Sequence, residues 1–390
     1  MNDSTETSRQ MPSADLAIIG GGIMGLWAAY HAEKAGIDTV LIDCGAPATS
    51  NGLLGALIAY MPDQWDGKKR FQFEALAALE GQIRTLEDET GIATGYRRAG
   101  RVMPLYGEQQ VETARLRAEA AAVNWRDGAR RFQWSVVDRP PLADWPAADP
   151  AALGYVHENF AAHVFPRGMV NALGAFLNGA RHVKRLTASV AEIDAAALSL
   201  VLADGGRVGF GHVIVSAGIG AFPLLQPLLA PDGKPLGRPV KGQAALLALD
   251  CDPAWPVIFD NGLYVVAHQG GHVAIGSTTE DDFDDPFGAD HQIDGLIETA
   301  RKIVPALADA PVVERWAGLR PRGVHREPMI GATEEYPAVI ALGGGFKTSF
   351  GIAHRLADHA VRLAAGQPVE ALPDIYDLSI YRRRAHGEKR

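Results

Sequence analysis

The stretch from Asp15 to Asp43 constrains the fold more than any other. "DLAII" has the apolar run of a buried strand and "GGGIMG" the glycines of a tight turn. "LWAAYHAEKAG" follows as a helix closed by Gly36, and "TVLID" as a second strand. That order is a β-α-β unit, and within it Gly20, Gly22 and Gly25 form GxGxxG. Gly20 permits the sharp turn, Gly22 lets backbone approach a pyrophosphate, and Gly25 allows helix to pack closely on strand. A pyrophosphate would meet the positive end of the helix that Ile23 and Met24 open. Asp43, at the end of the second strand, is placed to accept hydrogen bonds from an adenosine ribose. GxGxxG alone is weak evidence, but strand, glycines, helix, strand and acid in this order predict a bound dinucleotide.

After Asp43 the chain runs "CGAPATSNGLLGALIAYMP", small and flexible at first and then apolar, as if backbone approached a flat ring; nicotinamide enzymes seldom need this. Two later stretches repeat the theme of a strand leaving into glycines. They are "HVIVSAGIGAF" (212–222) and "AVIALGGGFKTSFGIAHRLADHAVRLAAG" (338–366), the second continuing into an amphipathic helix. Three such strand ends, far apart in sequence, predict one nucleotide-binding domain assembled from separated segments. With 390 residues the chain exceeds what one core usually supports, so the intervening stretches are expected to build a second domain.

Composition excludes several function classes. A net charge of −9 disfavours nucleic acid, whose phosphates need a basic face. The 2 cysteines, Cys44 and Cys251, lie far apart without ligand spacing, which predicts neither a disulfide framework nor a zinc site. His157, His163, His268, His272 and His325 are scattered, so no metal is expected. "EDDFDDPFGADH" (280–291) lacks EF-hand spacing and is expected to be a solvated loop capping a helix. The stretch 71–91 has the stripe of an amphipathic core helix. No long apolar run predicts a membrane span, the polar start does not resemble a signal peptide, and a reducing, cytoplasmic location is expected.

One residue stands apart. In "WAGLRPRG" (316–323), Arg320 follows an apolar run and precedes proline, so its guanidinium is drawn toward the interior and requires an anionic partner. A protein carboxylate and a ligand carboxylate both satisfy that need. Arg322, two positions later, is expected to face the opposite way.

The start "AIIGGGIMG", the middle "GLYVVAHQGGHVAIGSTTEDD" and the end "ERWAGLRPRGVHREPMIG" followed by "ALGGGFKTSFG" resemble, in this order, the D-amino-acid oxidase superfamily of flavoproteins, and most of all its glycine oxidase branch. The resemblance runs from about residue 14 to 366. It implies FAD as cofactor, oxidation of the Cα–N bond of amino acids or amines, and electron transfer to oxygen or another acceptor. It also implies that Arg320 binds the substrate carboxylate, that the Tyr264 hydroxyl helps hold it, and that Lys347 supplies positive charge beside the reduced flavin. The glycine oxidase branch tends to carry a histidine two positions before the tyrosine, where this chain has Gly262. That branch usually has an arginine at Lys347. The lysine by which sarcosine oxidases activate oxygen falls near Ala274 here, which disfavours sarcosine. No cysteine stands in "LRPRGVHREPMIG", so the FAD is expected to be noncovalent.

The cofactor-binding set implied is Gly20, Gly22, Ile23, Met24, Gly25, Asp43, Cys44, Ser50, Asn51, Gly52, Leu53, Leu54 and Gly55, then Ala217 and Gly218, then Arg320, Gly344, Gly345, Phe346, Lys347 and Thr348. The expected fold is α/β with α+β: a Rossmann-like FAD domain (14–92, 152–224 and 313–366) interleaved with an antiparallel-sheet substrate domain (93–151 and 225–312). Residues 1–13 and 381–390 are expected to be disordered tails. The function expected is hydride transfer from a small amino acid or amine carboxylate to flavin N5, giving an imino acid that hydrolyses. A 2-hydroxy-acid oxidoreductase and a flavin-binding subunit of a larger complex are the alternatives. Side-chain preference, stereochemistry, electron acceptor and homo-oligomerisation stay open.

Overall fold

Leu16, Ala17, Ile18 and Ile19 are buried together, the continuous apolar run that a central parallel strand requires. The computed structural model describes residues 13–324 and 326–385. Strand Ser13–Ile19 lies between parallel neighbours Thr39–Asp43 and Arg207–Val215. Val183–Thr187 extends the sheet beyond Thr39–Asp43, and Val339–Gly343 pairs in parallel with the C-terminal half of Arg207–Val215. Helix Ile23–Ala35, closed by Gly36 at φ 70°, packs against helix Ser349–Ala364 over this sheet. The parallel strands therefore end at one edge. The three glycine-bearing turns of the sequence all leave from that edge, where open α/β sheets bind their ligands.

A second, mostly antiparallel sheet has the order Val312–Gly323, Gly237–Ala248, His272–Gly276, Leu263–His268, Val257–Asp260, Arg101–Leu105, Gly154–Glu158, Trp134–Val137. Its strands alternate between two buried faces. Ala245, Leu247, Val265, Ala267, Val273 and Ile275 pack with Ile293 and Ile297 of helix His291–Ile303. Ala244, Leu246, Tyr264, Val266, Ala274 and Trp316 face Leu53 and Leu54 from the nucleotide-binding side. The strand register thus brings the loop after Asp43 onto one face of the second sheet.

The sheets divide at different residues from those expected. Strand Val312–Gly323, expected with the FAD domain, pairs along its length with Gly237–Ala248 in the second sheet. Gly154–Glu158 likewise pairs with Arg101–Leu105 and Trp134–Val137. Val312–Gly323 forms an edge of this sheet and Gly154–Glu158 lies between two of its strands, and neither pairing is marked by local composition. The C-terminal expectation is corrected for 381–385. These residues end helix Leu378–Ala385, and Tyr381 is buried with its hydroxyl donating to the Leu236 carbonyl. The expectations for 1–12 and 386–390, and His325, lie outside the described residues. Among the described residues no helix is long and apolar enough to cross a membrane, and no cluster of His, Cys, Asp and Glu could hold a metal.

Candidate active site

At the shared strand edge, backbone meets backbone wherever the sequence has glycine. A Cβ on Gly20 would lie 2.6 Å from the Ser216 carbonyl oxygen and 2.7 Å from the Ala217 Cα, and Gly20 itself has φ 107°. A Cβ on Gly25 would collide with the Gly20 carbonyl oxygen. The turns at 20–25 and 216–218 therefore touch, and a Cβ on Gly345 would press on Met24 at 2.5 Å, which brings in the third. Gly344, at φ 71°, adopts a conformation that favours glycine. Above Gly22 the nearest atom to a built Cβ is Ser50 Oγ at 3.4 Å, and Ser50 Oγ accepts from Ile23 N at 2.9 Å. The Asp43 carboxylate accepts from Gly21 N at 2.6 Å and Gly45 N at 2.8 Å, which fixes it at the strand end with further lone pairs to spare. These residues fit a dinucleotide: open backbone at a helix N-terminus, a held carboxylate beside it, and glycines where side chains would intrude. Ile23, Met24 and Leu53 bury their side chains, and the Ile23 N–H is already bonded to Ser50 Oγ, while Cys44 is exposed beside Asp43.

The segment 49–55 is anchored from several sides. Thr49 Oγ1 donates to the Leu319 carbonyl at 2.5 Å. Arg167 Nε donates to the Asn51 carbonyl at 2.9 Å while its guanidinium grips Glu314 through both oxygens. Gly55, at φ 64°, lies against the Val164 carbonyl. A built Cβ on Gly52 would meet the Trp316 ring at 3.3 Å, and that ring also lies over Gly318.

Arg320 sits on the same sheet face as Trp316 and Tyr264. Trp316 stands opposite Ala244, Ala244 opposite Gly276, and Gly276 opposite Tyr264, while Arg320 follows Trp316 by two strand periods. The guanidinium lies flat on Gly242, where any Cβ would overlap it. It donates to the Thr278 carbonyl at 3.1 Å and to Ser277 Oγ at 2.9 Å. Among the described residues it forms no ion pair, although burial lowers its pKa to about 10, with Glu280 opposing that fall. Among the described residues, then, no carboxylate pairs with the Arg320 guanidinium. Its remaining N–H donors are available to a ligand.

Tyr264 is partly buried, its ring 4.6 Å from that of Phe259, and burial raises its pKa. Lys347 Nζ donates to Thr279 Oγ1 at 2.9 Å, one residue beyond the Arg320 partners, so consecutive residues 277–279 hold the two cations side by side. Thr348 Oγ1 closes the turn onto the Gly345 carbonyl at 2.9 Å, and helix Ser349–Ala364 begins directly after. Arg322 does not face away from Arg320. Residues two apart on a strand share a face, and Arg322 reaches Asp281 at 3.2 Å and lies 6.0 Å from the Phe346 ring.

Residues that carried no sequence signal complete the site. Gly242, Ser277, Thr278 and Thr279 position the cations, and His268 supports the Leu53 loop by donating from Nε2 to the Leu53 carbonyl at 3.0 Å. His163 lies 5.4 Å from His268, ring to ring, and donates to the Pro253 carbonyl. Ser277, Thr278 and Thr279 fall in the stretch "STTEDD", whose pattern does not mark them as partners of Arg320.

Burial lowers the pKa of His268 to about 3 and of His163 to about 4. The unfolded chain binds protons at these histidines from about pH 6.5 downward, whereas the folded chain does not until about pH 3 to 4, so stability falls with pH across that window. The expected loss is on the order of 1 kcal/mol per histidine per pH unit. Denaturant melts of the wild type and His268→Gln between pH 7 and 4.5 check this; the variant should show a shallower acid slope, and parallel slopes would refute it.

The family model described as FAD dependent oxidoreductase (DAO) matches residues 15–359. A glycine oxidase of Bacillus licheniformis is 24% identical over 374 residues, covering 91% of this chain and 94% of its own. A glycine oxidase of Pseudomonas putida is 28% identical over 340 residues, covering 82% and 86%. The crystal structure of an iminodiacetate oxidase from Chelativorans sp. BNC1 superposes with a TM-score of 0.81 at 22% identity, covering 93% of this chain and 98% of that one, which supports the fold. With the glycine cradle, the held Asp43 and a match spanning most of its length, this chain belongs to the DAO family of FAD-dependent oxidoreductases.

Proposed function

We propose that this protein oxidises a small carboxylate-bearing amine, an amino acid or a close relative, at its Cα–N bond. The observation that carries this reading is Arg320: a fixed guanidinium that pairs with no carboxylate among the described residues, on the sheet face from which Tyr264 and Trp316 pack against Leu53 and Leu54. Arg320 would bind the substrate carboxylate through two N–H groups, and Tyr264 would offer its hydroxyl to the same group. Orientation matters because misplacement by about 1 Å can cost on the order of 100-fold in rate. Bound FAD would supply the acceptor for the hydride that leaves Cα as the C–N bond becomes an imine, which water then hydrolyses. Lys347, with the helix beginning at Ser349 behind it, adds fixed positive charge beside Arg320 and favours whichever state of the site is more negative. The FAD would be held noncovalently, since neither cysteine lies beside Arg320 and Lys347. Cys251 is half-buried in the cluster on the helix-packed face of the second sheet, and Cys44 is exposed beside Asp43.

Burial, together with Arg320 and Arg326, lowers the pKa of Lys347 to about 8. Its charge is present below that pH and lost above it. Turnover is therefore expected to decline as pH rises through about 8. In Lys347→Met that limb should vanish and activity at pH 7 should drop about tenfold or more; an unchanged pH profile in the variant would remove Lys347 from the chemistry.

The reading as a whole is tested on the purified protein. It should be yellow, release its flavin on denaturation, and bleach anaerobically with glycine or another carboxylate-bearing amine. Bleaching by 2-hydroxy acids alone would replace the amine with an alcohol, and inertness to both would point to a partner subunit.

A further inference from the structure

Behind Arg320 lies a buried charge cluster that the proposed chemistry leaves unused. Lys241 is 2% exposed, Gln243 0% and Glu280 7%. Lys241 Nζ stands 3.6 Å from Glu280 and 3.2 Å from Asp290, the residue that caps helix His291–Ile303. Gln243 Nε2 donates to Glu280 at 3.0 Å, Gln243 Oε1 accepts from Asp290 N at 2.8 Å, and Thr278 Oγ1 donates to Glu280. Lys241 and Glu280 also pair through their backbones, so their side chains project from the same side of the ladder.

The arrangement solves a problem set by the position of Arg320. Arg320 bonds the Thr278 carbonyl and Glu280 is two residues further on, close enough to act on the guanidinium electrostatically. A buried carboxylate beside a buried guanidinium normally closes into an ion pair, and a cation so engaged has little attraction left for a ligand. Here the carboxylate is turned to the opposite face of the strand. Arg320 lies on the Gly242 side, while Lys241 and Gln243, the residues on either side of Gly242, hold Glu280 on the other.

We propose that Lys241 is a positioning residue whose charge occupies Glu280, so that Arg320 remains unneutralised and free for the carboxylate of the substrate. The inference rests on the reading of Arg320 as the carboxylate site. It differs from a purely structural role in one respect: the damage done by removing Lys241 should be repaired by removing the charge of Glu280. A lost packing contact would be made worse, or left unchanged, by a second substitution.

The test uses the FAD-loaded enzyme with acetate as the probe, followed by perturbation of flavin absorbance and by calorimetry, and glycine as the substrate. Lys241→Met should weaken acetate binding roughly 10- to 100-fold and raise the KM for glycine by a similar factor with kcat little changed. Lys241→Met/Glu280→Gln should return both values to within about threefold of the wild type. Glu280→Gln alone should bind acetate as tightly as the wild type or more tightly, a readout that survives if Lys241→Met fails to fold. A double variant no better than Lys241→Met, or weakened binding in Glu280→Gln alone, overturns the proposal. Wild-type enzyme that binds no acetate and does not use glycine overturns the carboxylate reading and this inference together, whereas wild-type binding untouched by Lys241→Met overturns this inference alone.

Discussion

Arg320→Met is expected to lower kcat/KM for the best carboxylate-bearing amine by roughly 100- to 10,000-fold while leaving flavin content unchanged. The magnitude follows from losing two hydrogen bonds to a charged group, each worth about 1.5–3 kcal/mol, at about 1.4 kcal/mol per factor of ten. Flavin content should survive because the backbone at Gly20 to Gly25 and the Asp43 carboxylate are held by Ser50, Gly21 and Gly45 contacts in which Arg320 takes no part. Arg320→Lys should recover little of the loss, since an ammonium cannot reproduce two parallel N–H donors or lie flat on Gly242. Steady-state kinetics with flavin quantified by absorbance decide the matter. A variant that keeps kcat/KM within about fivefold would remove Arg320 from substrate binding, and one that loses flavin would show that the residue serves the cofactor instead.

The second large effect is expected at Gly25. A methyl group there would collide with the Gly20 carbonyl oxygen and reach to 2.7 Å of Ser216 Oγ, so Gly25→Ala must separate helix Ile23–Ala35 from the strand before it. Overpacking of this kind typically costs about 1–3 kcal/mol, and here the nearest opposing atom, the Gly20 carbonyl oxygen, is backbone, which can yield least. Gly25→Ala should lower the melting temperature and purify without flavin. Gly67→Ala, at a helical glycine where a built Cβ meets nothing, is the matched control and should retain flavin. A Gly25→Ala protein that binds flavin stoichiometrically at wild-type stability would contradict the close approach on which the cradle depends.

Much of the first sheet was legible because its determinants are local. Leu16 to Ile19, the GxGxxG turn and Asp43 fall within one short stretch, and glycine spacing reports backbone geometry directly. Strands 312–323 and 154–158 were assigned elsewhere because pairing across a sheet depends on partners tens of residues away, and the pleat alone does not name them. The site followed the same division. Arg320 was conspicuous as a cation in an apolar setting, whereas Ser277, Thr278 and Thr279 act through one carbonyl and two ordinary hydroxyls. Lys241, Gln243 and Glu280 resembled the polar residues of any strand and loop. Only the register that stacks Val240 against Arg320 and bridges Lys241 to Glu280 reveals that they surround the guanidinium.

The meeting of three glycine turns at one sheet edge also has a bearing on biogenesis. Gly20 must find Ser216 and Ala217, and Met24 must find Gly345, across sequence separations that make this region high in contact order and slow to close. A polypeptide emerging from the ribosome as far as residue 337 would carry GxGxxG and Asp43 yet lack strand Val339–Gly343 and the turn that abuts Met24. FAD binding is therefore expected only once strand Val339–Gly343 has been added, and acquisition of yellow colour would report that the three distant turns have met.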